Sequence, residues 1–218
     1  MFSALNKMFL PVLEYIFRQM EGDASSTGAP TLTEEQNQNF GLQKCFFLFL
    51  NNVALNGLSA VLLSPTNVSH LGQLLKSIAN ALATIDDYST QKMCASTLSR
   101  LAKDWLTDAS PAGLTPQIRA AFVQFACSEA SNASFTAIAS PGCVRNAAGA
   151  SLLLQIVELH AVLLGVCGDV WVSSVRQFAS ANPQSLWKPH LMDQYCVCVR
   201  EHGNKAQTLR KSFVSLFL

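Results

Sequence analysis

Near the C-terminal end, four side chains of the kinds that bind metals fall close together: His190, Cys196, Cys198 and His202. On a helix Cys196 and Cys198 stand about 200° apart, so they cannot both face one ion, and the spacing fits no structural zinc pattern. Packing is their plainer role. Cys167 and His160 bring a thiol and an imidazole onto one apolar stretch, yet no acid is placed to orient the ring and nothing offers an oxyanion donor. Asp86 and Asp87 are adjacent and suit helix capping, whereas general acid–base work needs carboxylates opposed across a cleft. Neither a GxxxxGK[ST] loop nor a GxGxxG turn occurs, so nucleotide binding has no local motif. The expectation is a binding protein, with no catalytic residues, no metal ligands and no cofactor.

Charge gives the one positive lead. Lys188, Arg200, Lys205, Arg210 and Lys211 face only Asp193 and Glu201 between residues 188 and 211, a local balance of +3, while the remainder sums to −2. A basic end of this kind suits the phosphates of a structured RNA, whose A-form stems are read by shape, phosphate and 2′-hydroxyl. No aromatic pattern for stacking single-stranded bases accompanies it. Lys205, Arg210 and Lys211 are the main candidates, with Lys188 and Arg200 secondary; a solvated helix face is the plainer alternative for each.

The elements that must hold these residues are helices. From Ile85 to Leu106, Cys94, Leu98, Leu101 and Trp105 recur at spacings of four, three and four, one stripe of an amphipathic helix whose start Asp86, Asp87 and Ser89 can cap. Before it, Leu5, Phe9, Val12, Leu13, Ile16 and Met20 trace a helix with a possible kink at Pro11; its pattern opens without a capping residue, as in a piece cut from something longer. A polar linker at 22–33 precedes a helix from Glu34 to Asn56 carrying Phe40, Phe46, Phe47 and Phe49, with Thr33–Gln36 or Thr31–Glu34 as its capping box. After a turn at Ser64–Asn67, Leu71, Leu74, Leu75, Ile78 and Leu82 mark the next helix.

Residues 108–115 are irregular, and Pro116 suits the first position of a helix bearing Ile118, Ala121, Phe122 and Phe125. Small, polar residues make 128–142 a loop. A buried helix runs from Val144 to Cys167 and stops at Gly168. Asp169 caps a helix through Val172, Val175 and Phe178, Leu191, Tyr195 and Val199 line another, and Asn204 caps a last one through Leu209, Phe213 and Leu216. No β-alternation of useful length interrupts this. Helix pairs recurring at roughly forty to fifty residues are typical of HEAT or armadillo arrays, so the predicted fold is all-α: a single α-solenoid of antiparallel helix pairs over residues 1–218.

Half the residues are hydrophobic and 13% are charged, which excludes a disordered chain. Lys plus Arg number 15 against 14 Asp plus Glu, so any nucleic-acid site is local. Seven scattered cysteines read as reduced packing residues of a cytosolic or nuclear protein. Phe46–Leu63 and Leu152–Trp171 are apolar enough to imitate membrane spans, but Asn51, Asn52 and Asn56 in one and Glu158 and His160 in the other favour buried core helices and no membrane insertion. The Asn67 and Asn132 glycosylation patterns are chance matches.

Four ordered stretches resemble the exportin-T family of tRNA exporters, within the importin-β-like superfamily, over its C-terminal region. They are LNKMFLPVLEYIF; NVSHLGQLLKSIANAL with DDYSTQKMCASTLSRLAKDW; LLQIVELHAVLLGVCGD; and MDQYCVCVREHGNKAQTLRKSFVSLF. The match is poor from Asp108 to Gly142. The resemblance implies HEAT repeats, tRNA as cargo, Ran-GTP and nuclear pore proteins as partners, and shuttling between nucleus and cytoplasm. It places most of the Ran-GTP site in an N-terminal half that this chain lacks. The alternative from another class is a helical-repeat scaffold for protein partners.

Overall fold

The structure, a computed structural model, describes residues 2–22, 34–107, 111, 113–139, 143, 146–182 and 186–217. The polar linker, the capping box before Glu34 and the side chain of Met20 lie outside the described residues. Among those described there is no strand. The described helices of eight residues or more are α1 Phe2–Gly22, α2 Glu34–Leu55, α3 Leu71–Thr84, α4 Tyr88–Leu106, α5 Pro116–Phe125, α6 Ser131–Ile138, α7 Ala147–Cys167, α8 Asp169–Ala181, α9 Pro189–His202 and α10 Ala206–Phe217.

They form two layers. In one, α2, α4, α7 and α10 pack side by side in succession; in the other, α3, the α5–α6 rod, α8 and α9 do the same, and α1 lies against α2. The cross-layer contacts join α3 to α4, α6 to α7 and α9 to α10. One continuous apolar core runs through the described residues.

The α4 stripe is as the spacing predicts, with Cys94, Leu98, Leu101 and Trp105 all within 2% of complete burial. The burial is wider than one stripe: Thr90, Gln91, Thr97, Ser99, Ala95 and Ala102 are also enclosed, because α2, α3 and α7 all pack on this helix. Two of its buried polar side chains find backbone partners. Gln91 Nε2 donates to the Leu82 carbonyl at the end of α3 (2.9 Å), and Thr97 Oγ1 donates to Met93 O (2.8 Å). Asp87 is the N-cap, accepting from the backbone N–H groups of Ser89 and Thr90 and from Thr90 Oγ1. Lys44 reaches it from α2 at 3.2 Å.

Residues 128–138 of the expected loop are helical, Ala139 follows as the helix end, and 140–142 lie outside the described residues. Pro116 opens a rod, capped by Thr115 Oγ1 accepting from Ile118 N–H, that passes through a π-turn at Ala126–Ala130 and continues as α6 to Ile138. Ser131 and Ser134 bond within the rod, Ser131 Oγ donating to Ala126 O (3.0 Å) and Ser134 Oγ to Ser131 O (2.6 Å). Small polar residues look like a loop only when those local bonds are ignored.

Two expected caps are also corrected. Asp169 does not cap α8: Gly168, with φ +57°, holds that position, and the Asp169 carboxylate is drawn instead to Arg200. The last helix begins at Ala206, so Lys205 and not Asn204 flanks it, its carbonyl accepting from Thr208 and Leu209. The long apolar helix starts at Ala147, where Asn146 Oδ1 accepts from Gly149 N–H at 2.6 Å. α7 is long and apolar enough to cross a membrane by composition, yet here it is packed among α4, α6, α8, α9 and α10. Phe46–Leu63 is interrupted by a turn after Leu55, and Asn67 is buried with its amide bonded to Asn6 and to Val61 O.

At the start of α7 the backbone of Cys143 presses on Gly149 so closely that a Cβ would collide with the Cys143 carbonyl and Cα. Inside a helix, alanine normally stabilises by about 1 kcal/mol over glycine. Here the overlap reverses the sign: Gly149→Ala lowers unfolding free energy in urea by about 2 kcal/mol. A neutral or stabilising result contradicts this packing.

Candidate nucleic-acid interface

The basic residues singled out from the sequence are carried by the α9–α10 hairpin, held in place by aromatic packing. Trp187, Tyr195, Phe213 and Phe217 pack together in tilted and edge-to-face contacts, and Phe135 of α6 adds to them, with ring centroids 4.8–6.4 Å apart. With Leu209, Phe213 and Phe217 buried on one side of α10, the polar residues of that helix are turned outward.

Lys205 is exposed at the hairpin turn and Lys211 is exposed on α10. Arg210 is half-buried, with its Nε shielded from water and unbonded. Arg210 and Lys211 stand about 100° apart around the helix, so the three residues are spread around one end of α10 rather than aligned in a single row. Lys188 is exposed just before α9, about 20 Å along that helix from the turn. Arg200 Nη2 meets Asp169 Oδ1 at 2.7 Å, and Arg176 meets Asp193 at 2.7 Å. Of the five candidates, Arg200 is therefore partly neutralised, while Lys188, Lys205 and Lys211 make no ion pair with a described residue. A shallow groove of about 430 Å³ runs beside the turn, lined by Ala161, Gly165 and Gly168 and by Arg200, Gly203 and Asn204.

Beneath the hairpin lies a buried polar chain that the sequence did not disclose. His160 is wholly enclosed; its Nε2 lies 2.6 Å from Ser134 Oγ and its Nδ1 2.8 Å from the Tyr195 hydroxyl. Because the single Ser134 hydroxyl proton goes to Ser131 O, Nε2 must carry the ring proton and Tyr195 must donate to Nδ1. Trp171 Nε1 then donates to Ser131 Oγ at 2.9 Å. The chain joins α6, α7, α8 and α9 with every member satisfied. Cys167 takes no part in it, and a serine and imidazole sealed from solvent have no substrate to reach. Burial pushes the Tyr195 phenol well up and the His160 ring down to about 3. Cys196 is buried and Cys198 half-exposed on α9, and among the described residues no three His, Cys, Asp or Glu side chains converge.

A family model described as Exportin-T matches residues 1–217. The chain belongs to the exportin-T family. It is 23% identical to the Arabidopsis thaliana exportin-T over 216 residues, 97% of this chain and 21% of that protein. The Oryza sativa exportin-T is 27% identical over 122 residues, covering 56% and 12%, and one from Aspergillus fumigatus is 32% identical over 104 residues, covering 48% and 10%. The chain thus spans about a fifth or less of the length of these exportin-T relatives. No solved structure matches it.

The depressed His160 ring makes the fold acid-sensitive with a definite sign. Its folded pKa lies below the ordinary 6.5, so the unfolded chain takes the proton first. Stability is whole above that value and is lost as pH falls toward 3, at up to about 1.4 kcal/mol per pH unit. Urea titrations between pH 7 and 4.5 resolve this slope in the native chain and its disappearance in His160→Gln; equal slopes contradict the buried neutral ring.

Proposed function

We propose that this chain is a HEAT-like α-solenoid segment of a tRNA export receptor, with the α9–α10 end as its RNA-contacting surface. The observation that carries the reading is the family match along essentially the whole chain, supported by the layered packing of neighbour on neighbour and by exposed, uncompensated Lys205 and Lys211. Such an array recognises an A-form stem by its phosphate track, with Lys and Arg releasing counterions and no base edge being read. The groove floored by Ala161, Gly165 and Gly168 gives a backbone room to approach the hairpin turn. In the whole receptor, tRNA and Ran-GTP would strengthen each other's binding through the curvature of one body, and the loaded receptor would pass from nucleus to cytoplasm past pore proteins.

A protein-binding scaffold is the second reading, and one surface favours it. Met8, Val12 and Tyr15 on α1 and Leu48 and Leu55 on α2 are 38–63% exposed, and Met8 lines a groove of about 350 Å³ between the two helices with Leu5, Phe49, Val53, Asn52 and Asn56. Apolar surface left in water at one end of a layered array wants a covering partner.

Filter binding of folded tRNA at two salt concentrations separates the two. The proposal expects salt-dependent binding, and Lys205→Glu/Arg210→Glu/Lys211→Glu reduces affinity at least about tenfold and lowers the salt slope by about 2–3. Binding indifferent to RNA, or unchanged by the triple substitution, rejects the RNA surface and leaves the scaffold reading.

A further inference from the structure

Asn56 is the one asparagine in the sequence that is followed by glycine, and the fold puts this pair at an exposed helix end. α2 stops at Leu55, and Gly57, at φ +70°, turns the chain. The Gly57 N–H donates to Ala54 O (3.1 Å) and that of Leu58 to Val53 O (3.0 Å), the paired bonds of a Schellman end. Asn56 and Gly57 are both exposed, and no atom lies within 4 Å of the place a Cβ on Gly57 would take. The Asn56 side chain is held by its Nδ2, which donates to Asn52 O at 2.7 Å. With Asn52 it makes the polar part of the groove between α1 and α2, whose apolar walls include Leu5, Met8, Phe49 and Val53.

We propose that Asn56 is a spontaneous deamidation site, and that its product places a carboxylate on the rim of the α1–α2 groove. The co-reactant is water. The Gly57 nitrogen gives its proton to hydroxide and attacks the Asn56 side-chain carbonyl carbon, closing a five-membered imide. The amide nitrogen takes a proton from water and leaves as ammonia. Water then opens the imide at either carbonyl, giving aspartate or isoaspartate, so that one water is consumed, one ammonia is released and nothing is oxidised. Glycine matters because it has no side chain to hinder the attacking nitrogen; every other asparagine is followed by a residue that has one.

The helix end governs the rate. While the Gly57 N–H is bonded to Ala54 O its nitrogen cannot attack, so the last turn of α2 must first open, a local event of low free energy at a helix terminus. The folded chain therefore reacts at the unfolded chain's rate multiplied by the open fraction. The product changes the structure in turn. A carboxylate cannot donate to Asn52 O, and its charge stands at the partly negative C-terminal end of α2. In the isoaspartyl form an extra methylene also enters the backbone between α2 and the short helical turn at Ser59–Leu63. Both products loosen the end of α2 and make the rim of the groove anionic.

The test is incubation of the intact chain at neutral and at mildly alkaline pH, beside the same chain in urea. Peptide mapping by mass locates the amide-to-acid change, and isoaspartate is counted by methyl transfer from S-adenosylmethionine with an isoaspartyl methyltransferase. The proposal expects conversion at Asn56 ahead of every other asparagine in the folded chain, faster at alkaline pH and slower than in urea. The converted chain and Asn56→Asp both melt at a lower temperature, and Asn56→Gln yields no isoaspartate at this position. Asn56 left unchanged in the folded chain while the urea sample converts fully overturns the proposal, as does conversion led by another asparagine. The map of the native chain decides the matter even where a variant folds poorly.

Discussion

The contact between α4 and α7 is the most extensive between any two of the described helices, and the others are arranged about it. Leu101 and Trp105 on one side and Leu152, Ile156 and Leu159 on the other are all at or below 1% exposure, and each such side chain contributes roughly 1.5–3 kcal/mol relative to leaving it in solvent. Neither helix can be solvated alone, since α4 is buried over most of its circumference and α7 carries apolar residues on nearly every side. That double burial forces neighbours onto both: α2 and α3 against α4, and α9 and α10 against α7. The layered arrangement therefore grows outward from one dry interface. Its ends are the least supported parts, with α1 and α2 at one end showing apolar side chains to water.

The proposed RNA-contacting surface lies at the other end of that arrangement. The same α7 that closes the core supports the hairpin carrying Lys205, Arg210 and Lys211, and the hairpin is fixed by Tyr195 reaching His160 and by the ring cluster of Trp187, Phe213 and Phe217. Arg200 differs from the others because Asp169, freed from capping by Gly168, accepts its guanidinium.

Much of this was legible in the sequence, because helical periodicity reports burial directly. The α4 stripe, the Leu71–Leu82 stripe, Asp87 as a cap, Pro116 as a helix start and Gly168 as a stop all follow from side-chain chemistry acting within one turn. What escaped were features set by partners far along the chain. Ser131 and Ser134 read as loop residues until Trp171 and His160 are brought against them. Phe135 shows no stripe of its own, yet it packs against Phe178, Trp187 and Tyr195. Strict helix pairing was also too simple: α8 follows α7 directly at Gly168 as an additional helix before the α9–α10 pair. The basic residues could be named from composition but not aligned, since their distribution around α10 depends on which face the aromatic cluster captures.

The central claim is that stability descends from the α4–α7 interface toward the ends, each helix leaning chiefly on its neighbours. Native-state hydrogen exchange measures this directly. The account predicts that amides of Leu98–Leu101 and Ile156–His160 exchange only through global unfolding, while those of α1 and α10 exchange through smaller openings at lower free energy. Equal opening free energies along the whole chain, or earlier exchange in α7 than in α10, would contradict it.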